Sequence, residues 1–201
     1  MKIIGITGGT GSGKTTALYA LESLNAWIID ADTVYHDLTV RNFSLRKELE
    51  ARFGEVYEAD GSLNRKKLGA IVFQDAKALE ALNDITHRYV GQEIDRQIQV
   101  ADREGKPIVA IDAIELIGSG LGKKCHVTVA VSAPAQVRIK RIMARENITE
   151  EYARMRVAAQ KDEAYFRENC DHVLENGEIE TPESFAVLAL AFFKEILEET
   201  N

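Results

Sequence analysis

Ile3-Ile4-Gly5-Ile6-Thr7-Gly8-Gly9-Thr10-Gly11-Ser12-Gly13-Lys14-Thr15-Thr16 stands close to the start of the chain, and its reading decides the fold. A short apolar run stops at a glycine cluster and enters a helix-like stretch that reaches Leu24, giving the order strand, tight turn, helix. Inside it, Gly8 to Thr15 match the pattern G-x-x-x-x-G-K-[ST]. Glycines at these positions let the backbone curl its N–H groups around an anion, and without Cβ atoms they admit phosphate oxygens closely. The helix that begins near Gly13 adds the positive end of its dipole. Lys14 is expected to reach the β- and γ-phosphates and the Thr15 hydroxyl to ligate Mg²⁺. A glycine-rich turn that merely precedes a helix is the plain alternative, and the strand in front of it argues against that reading.

Further along, Trp27-Ile28-Ile29 ends in Asp30-Ala31-Asp32, Ile108 to Asp112 reads as a buried parallel strand, and Val127 to Val131 as another. Pro134 is expected in the first turn of a helix running through Arg145, and Thr149 with Glu150 and Glu151 starts the next. His172-Val173-Leu174 is a last short strand, and Pro182 precedes the terminal helix. Between about 34 and 105 the pattern is helical and charged, broken by a turn at Ala59-Asp60-Gly61-Ser62. The expected class is α/β: one P-loop domain over 1–201 with a central parallel sheet flanked by helices and a helical excursion at about 34–105.

Bulk properties narrow the function. The 201 residues carry 32 acids against 25 Lys and Arg, a net charge of −7. That balance disfavours a nucleic-acid partner. Cys125 and Cys170 are far apart, so a disulfide scaffold or zinc site is not expected and a reducing cytoplasm is the default. Neither the first residues nor the apolar run Phe185 to Phe193 has the length for a signal peptide or a membrane span, so a soluble protein away from membranes is expected. The oligomeric state is not legible, and a monomer is the default.

A kinase needs a base, a carboxylate near the metal and mobile cations. Asp32, just past the second strand, is the candidate base, with a helix cap as the alternative. Asp30 shares its side if the strand continues and could orient or support there, with a helix cap as the weightier reading. Asp112 ends a strand as a metal-supporting acid does, through water, or serves a turn. The cations lie between Gln136 and Lys161, where seven Lys and Arg face three Glu in an otherwise acidic chain. Arg138, Arg141 and Arg145 recur on one helix face, either as surface charge or as a lid that neutralises phosphate.

With these residues in view the chain resembles the dephospho-CoA kinase family over nearly its whole length. The resemblance rests on ITGGTGSGKTT (6–16), IIDAD (28–32), DGSLNRKKLGAIVF (60–73), LNDITH (82–87), APAQVRIKRIMARE (133–146), RVAAQ (156–160) and DHVLENG (171–177). It implies a P-loop kinase with a helical CoA-side insertion and a helical lid at about 141–161. It implies phosphorylation of the ribose 3′-hydroxyl of dephospho-CoA by Mg²⁺-ATP, giving CoA and ADP. By position, Asp32 corresponds to the catalytic base, Gly11 to Thr16 to the ATP-phosphate site, and Arg141 to a lid arginine on ATP. His87 corresponds to an acceptor-site histidine and Asn176 to an asparagine near the adenine, while Arg65 and Lys66 are candidates for the acceptor's diphosphate. Several positions depart from the family pattern. His36 and Arg88 replace a usual Arg and Pro, and D-x-P-L-L-F-E-S-G is here Asp112-Ala113-Ile114-Glu115-Leu116-Ile117-Gly118-Ser119-Gly120. These leave two other readings open: a kinase of another nucleoside or nucleotide on the same scaffold, and a non-catalytic nucleotide sensor.

Overall fold

In a computed structural model, which describes residues 1–177 and 181–199, five strands form one sheet. They are β1 (Lys2–Thr7), β2 (Ala26–Asp30), β3 (Ile108–Asp112), β4 (Val127–Ser132) and β5 (His172–Glu175), in the order β2-β3-β1-β4-β5. β1 is central and pairs parallel with both β3 and β4, and β4 pairs parallel with β5. All six residues of β4 and the first four of β3 are buried, which is why both read as unbroken apolar runs rather than alternating ones. The registers Ile6 to Asp112 and Thr7 to Ala130 bring the end of β3, the start of the glycine loop and the end of β4 to one edge. Ligand sites of open α/β sheets lie at that carboxyl edge.

The chain divides into two compact units, Met1–Ile28 with the chain from Ala101 on, and Ile29–Val100. In the first, α1 (Lys14–Ser23) packs against α9 (Pro182–Glu199). Ala17, Ala20 and Leu21 meet Phe185, Ala189, Phe193 and Ile196 over Ile4, Ile6, Val129 and Val131. Each such large side chain contributes about 1.5–3 kcal/mol by leaving water, an upper figure. Within the run from Phe185 to Phe193 only Phe185, Ala189 and Phe193 form the buried face of α9, while Val187 and Leu188 are exposed, and among the described residues no helix is long and apolar enough to cross a membrane. Gly5 turns to the opposite sheet face. A Cβ there would stand 2.8 Å from both Leu116 and Cys125 Sγ, so the segment after β3 lies directly on β1. Burial pushes the Cys125 thiol up to about 12 and raises that of Cys170, which suits packing thiols and not reactive ones.

The same unit carries α6 (Ala135–Glu146), α7 (Glu150–Ala158) and α8 (Glu163–Asn169). Ile139 and Ile142 of α6 bury Ala153 of α7, and the Thr149 hydroxyl caps α7 by accepting from Tyr152 N–H. Pro134 precedes α6 as its N-cap instead of entering its first turn, because its backbone is still extended (ψ 143).

The second unit is helical: α2 (Ala31–Arg41), α3 (Phe43–Phe53), α4 (Arg65–Val72) and most of α5 (Ala76–Arg103). Its own core joins Leu45, Leu49, Phe53, Val56, Leu68, Val72 and Ile85. Asn42 and Asn64 cap α3 and α4 with their side chains. The expected turn forms where Asp60 accepts from the N–H and hydroxyl of Ser62, beside the isolated bridge Tyr57 to Leu63.

Candidate phosphate-binding and catalytic site

The glycine loop links β1 to α1, and its glycines are used in two ways. Gly8, Gly11 and Gly13 have φ of 142, 82 and 103, a region that L side chains rarely adopt. Gly9 and Gly13 are also closely approached: a Cβ on Gly9 would run into the Arg138 guanidinium, and one on Gly13 into the Asn176 amide. The loop is therefore closed from behind by side chains of α6 and of the turn after β5. Lys14, the first residue of α1, forms an ion pair with Asp112 at the end of β3, both side chains largely buried. The strand register that sets Asp112 beside Ile6 makes this pairing possible.

The three arginines expected on one face of α6 separate by depth. Arg138 is 7% exposed, and burial pulls its guanidinium below its ordinary value. It donates through Nε to Thr10 O at 2.9 Å and also to Gln160 Oε1. Arg141 donates to Asn176 Oδ1 at 3.0 Å and to the carbonyls of Gly177 and Gly11 at 3.3 and 3.4 Å. Arg145 pairs with Glu146 on the surface instead. Seven residues at 1.5 Å rise carry it about 10 Å along the axis from Arg138, past the loop. Asn176 is 4% exposed, and both ends of its amide are engaged, Nδ2 donating to Ser12 O at 2.8 Å and Oδ1 accepting from Arg141.

Gln160 escaped sequence reasoning as a site residue. Its Oε1 accepts from Thr10 N–H at 3.0 Å and its Nε2 donates to Thr10 Oγ1 at 2.8 Å. The one available signal was its place in RVAAQ, a stretch that marked the resemblance without a role attached. The altered segment after β3 also lies against the loop. Ile114 and Glu115 line a cavity of about 300 Å³ together with Gly9, Gln160, Lys161 and Phe166. The Glu115 carboxylate lies where Gly118 leaves room, 2.7 Å from where a Cβ would stand.

The remaining candidates belong to the second unit. Asp30 is the N-cap of α2, its carboxylate accepting from the N–H groups of Asp32 and Thr33 and from the Thr33 hydroxyl. The strand ends there and the helix begins at Ala31, so strand alternation does not carry on to Asp32, which sits in the first helical turn. Arg65 Nη2 lies 3.2 Å from His36 Nδ1, with its guanidinium over the Tyr35 ring. Lys66 and His87 are exposed, and Arg88 pairs with Glu48.

A parallel sheet whose central strand feeds a phosphate loop, with a lysine opening the next helix and an acid ending the neighbouring strand, defines a P-loop kinase. A shikimate kinase from Bacteroides thetaiotaomicron shares this fold over 98% of each chain, with a TM-score of 0.55 at 17% identity. Residues 2–181 match the family model described as dephospho-CoA kinase, and the chain belongs to that family. The dephospho-CoA kinase of Moorella thermoacetica is 37% identical over 179 residues, 88% of this chain and 84% of that one. The structure of the Campylobacter jejuni dephospho-CoA kinase covers all of both chains with a TM-score of 0.71 at 24% identity, a likeness of fold.

Proposed function

We propose that the chain transfers the γ-phosphoryl group of ATP to the ribose 3′-hydroxyl of dephospho-CoA, giving CoA and ADP. The observation that carries this reading is the phosphate loop with its Lys14–Asp112 pair, in a chain that matches the dephospho-CoA kinase family from residue 2 to residue 181. Phosphoryl transfer asks little covalent chemistry of a protein and much positioning and charge neutralisation. In this reading the loop from Gly11 to Thr16 receives the phosphates, and Lys14 exchanges its carboxylate partner for phosphate oxygens. Arg141 and Asn176 act from behind the loop. Asp32 accepts the proton of the attacking hydroxyl, and Arg65, Lys66 and His87 serve the acceptor.

Magnesium fits the donor set. The Thr15 hydroxyl and the Asp112 carboxylate are hard oxygens, and an ion that keeps its waters and shares substrate phosphates needs few protein ligands. Bound there, the ion would neutralise charge developing on the transferred phosphoryl group. The reading keeps the cytoplasmic location expected from two widely spaced cysteines, with a monomer as the default.

The test is purified protein with ATP, Mg²⁺ and a panel of nucleoside and nucleotide acceptors, read by product mass. A mass gain of one phosphoryl group on dephospho-CoA is expected. Turnover of a different acceptor with none of dephospho-CoA would overturn the reading.

A further inference from the structure

Three consecutive carbonyls of the loop are held from outside it. Thr10 O accepts from Arg138 Nε, Gly11 O from Arg141 Nη1 and Ser12 O from Asn176 Nδ2, at 2.9, 3.4 and 2.8 Å. A trans peptide is planar, with its C=O and N–H directed oppositely. Each held carbonyl therefore turns the next N–H, those of Gly11, Ser12 and Gly13, to the other side. The Ser12 N–H closes a tight turn on Gly9 O at 3.1 Å, and those of Gly11 and Gly13 flank that turn. The orientation of the Gly11 and Gly13 N–H groups is thus set by side chains far away in sequence.

The strongest of these holds is on Thr10. Its N–H, its carbonyl and its hydroxyl are each engaged, the carbonyl by Arg138 and the other two by Gln160. Arg138 also donates to Gln160 Oε1, so the two clamp residues lock each other. Burying a guanidinium costs free energy unless its donors are satisfied. Here it is buried against a glycine that could carry no side chain, which ties Gly9 to Arg138 as a fitted pair. Gln160 follows α7, which packs on α6, so the clamp joins the helical pair to the tip of the loop.

We propose that Arg138 and Gln160 are positioning residues that clamp Thr10 and thereby fix the peptide planes receiving the β-phosphate of the nucleotide. Thr10 in this arrangement is the tether and not a phosphate ligand. The inference rests on the reading of the loop as a nucleotide-phosphate site and is independent of the acceptor.

The test measures ADP dissociation constants by calorimetry, with KM for ATP and for dephospho-CoA, in Gln160→Leu and Gln160→Glu. Gln160→Leu removes the acceptor and the donor that hold Thr10. It should weaken ADP and raise KM for ATP by about tenfold, the size of one lost net hydrogen bond. KM for dephospho-CoA should change less than about twofold. Gln160→Glu keeps an acceptor for Thr10 N–H, for the Thr10 hydroxyl as donor, and for Arg138, and should return ADP affinity to within about threefold of the parent. A folded Gln160→Leu that binds ADP as the parent does overturns the clamp, as does an equal rise of both KM values. Should Gln160→Leu fail to fold, Thr10→Val decides: it deletes the hydroxyl alone, and unchanged ADP affinity refutes the proposal. A parent protein that fails to bind ADP overturns the loop reading and the clamp together. One that binds ADP but leaves dephospho-CoA untouched overturns the acceptor assignment, and the ADP measurements on the variants still decide the clamp.

Discussion

Asp30 closes β2 and caps α2, and its carboxylate is committed to the N–H groups of Asp32 and Thr33 and to the Thr33 hydroxyl. Read along the sequence, either aspartate of IIDAD could cap, with Asp32 the candidate base and Asp30 a candidate to orient or support it. A cap must fold back on the N–H groups two and three residues ahead, and that geometry is filled by the first of the pair. Asp30→Ala should therefore lower stability by about 1 kcal/mol, the usual cost of a lost cap, measured by urea unfolding. Asp32→Asn should lower kcat by about 10² or more with KM for ATP little changed, the signature of a group needed in the transition state and not for nucleotide binding. Undiminished kcat in that variant would remove Asp32 from the mechanism. At this scale the glycine loop was legible because all its requirements are local. Arg138 was legible only as one of three arginines on a helix face, since its partners Thr10 and Gln160 lie 128 and 22 residues away.

The strands were legible as apolar runs bounded by glycine, proline and acids, but the order in which they pair was not. No local pattern announces that β5 lies beside β4, or what fastens it there. Thr128 in β4 donates through its N–H and its hydroxyl to Asp171 Oδ2 at 2.8 and 2.7 Å, while Asp171 N–H returns a bond to the same hydroxyl at 3.0 Å. The Thr128 hydroxyl, followed by its N–H, holds the Asp171 carboxyl below the usual carboxylate range. Its folded pKa lies below its unfolded one, so the stabilisation is complete above the unfolded value near 4 and is lost as pH falls through the folded value. Thr128→Val deletes the hydroxyl and should cost about 1 kcal/mol at pH 7. That difference from the parent should shrink as the pH is lowered below about 4, in urea unfolding repeated across the acid range. A difference that stays constant down to pH 2 would show that the threonine acts through packing and not through the carboxylate.

At the scale of the whole molecule, the residues proposed for the nucleotide and those proposed for the acceptor segregate by unit. Gly8 to Thr16, Asp112, Arg138, Arg141, Gln160 and Asn176 all belong to Met1–Ile28 and the chain from Ala101 on, whereas Asp32, Arg65, Lys66 and His87 belong to Ile29–Val100. The sequence signalled this division through its long strand-free stretch, although the contrast in charge drew attention to 136–161 instead. A ligand that binds only the folded form of a unit slows the opening of that unit by the factor 1 + [L]/Kd. ADP at about 100 times its dissociation constant should then slow hydrogen exchange in β1, β4 and α6 by up to about 100-fold where exchange requires that unit to open. The amides of α3 and α4, whose core of Leu45, Leu49, Phe53, Leu68 and Val72 is built within the second unit, should keep their rates. Dephospho-CoA without nucleotide should reverse the pattern, protecting α2, α4 and α5 first. Equal slowing of both units by ADP alone would mean that they open as one cooperative body, and the division of labour drawn here would then lack an energetic counterpart.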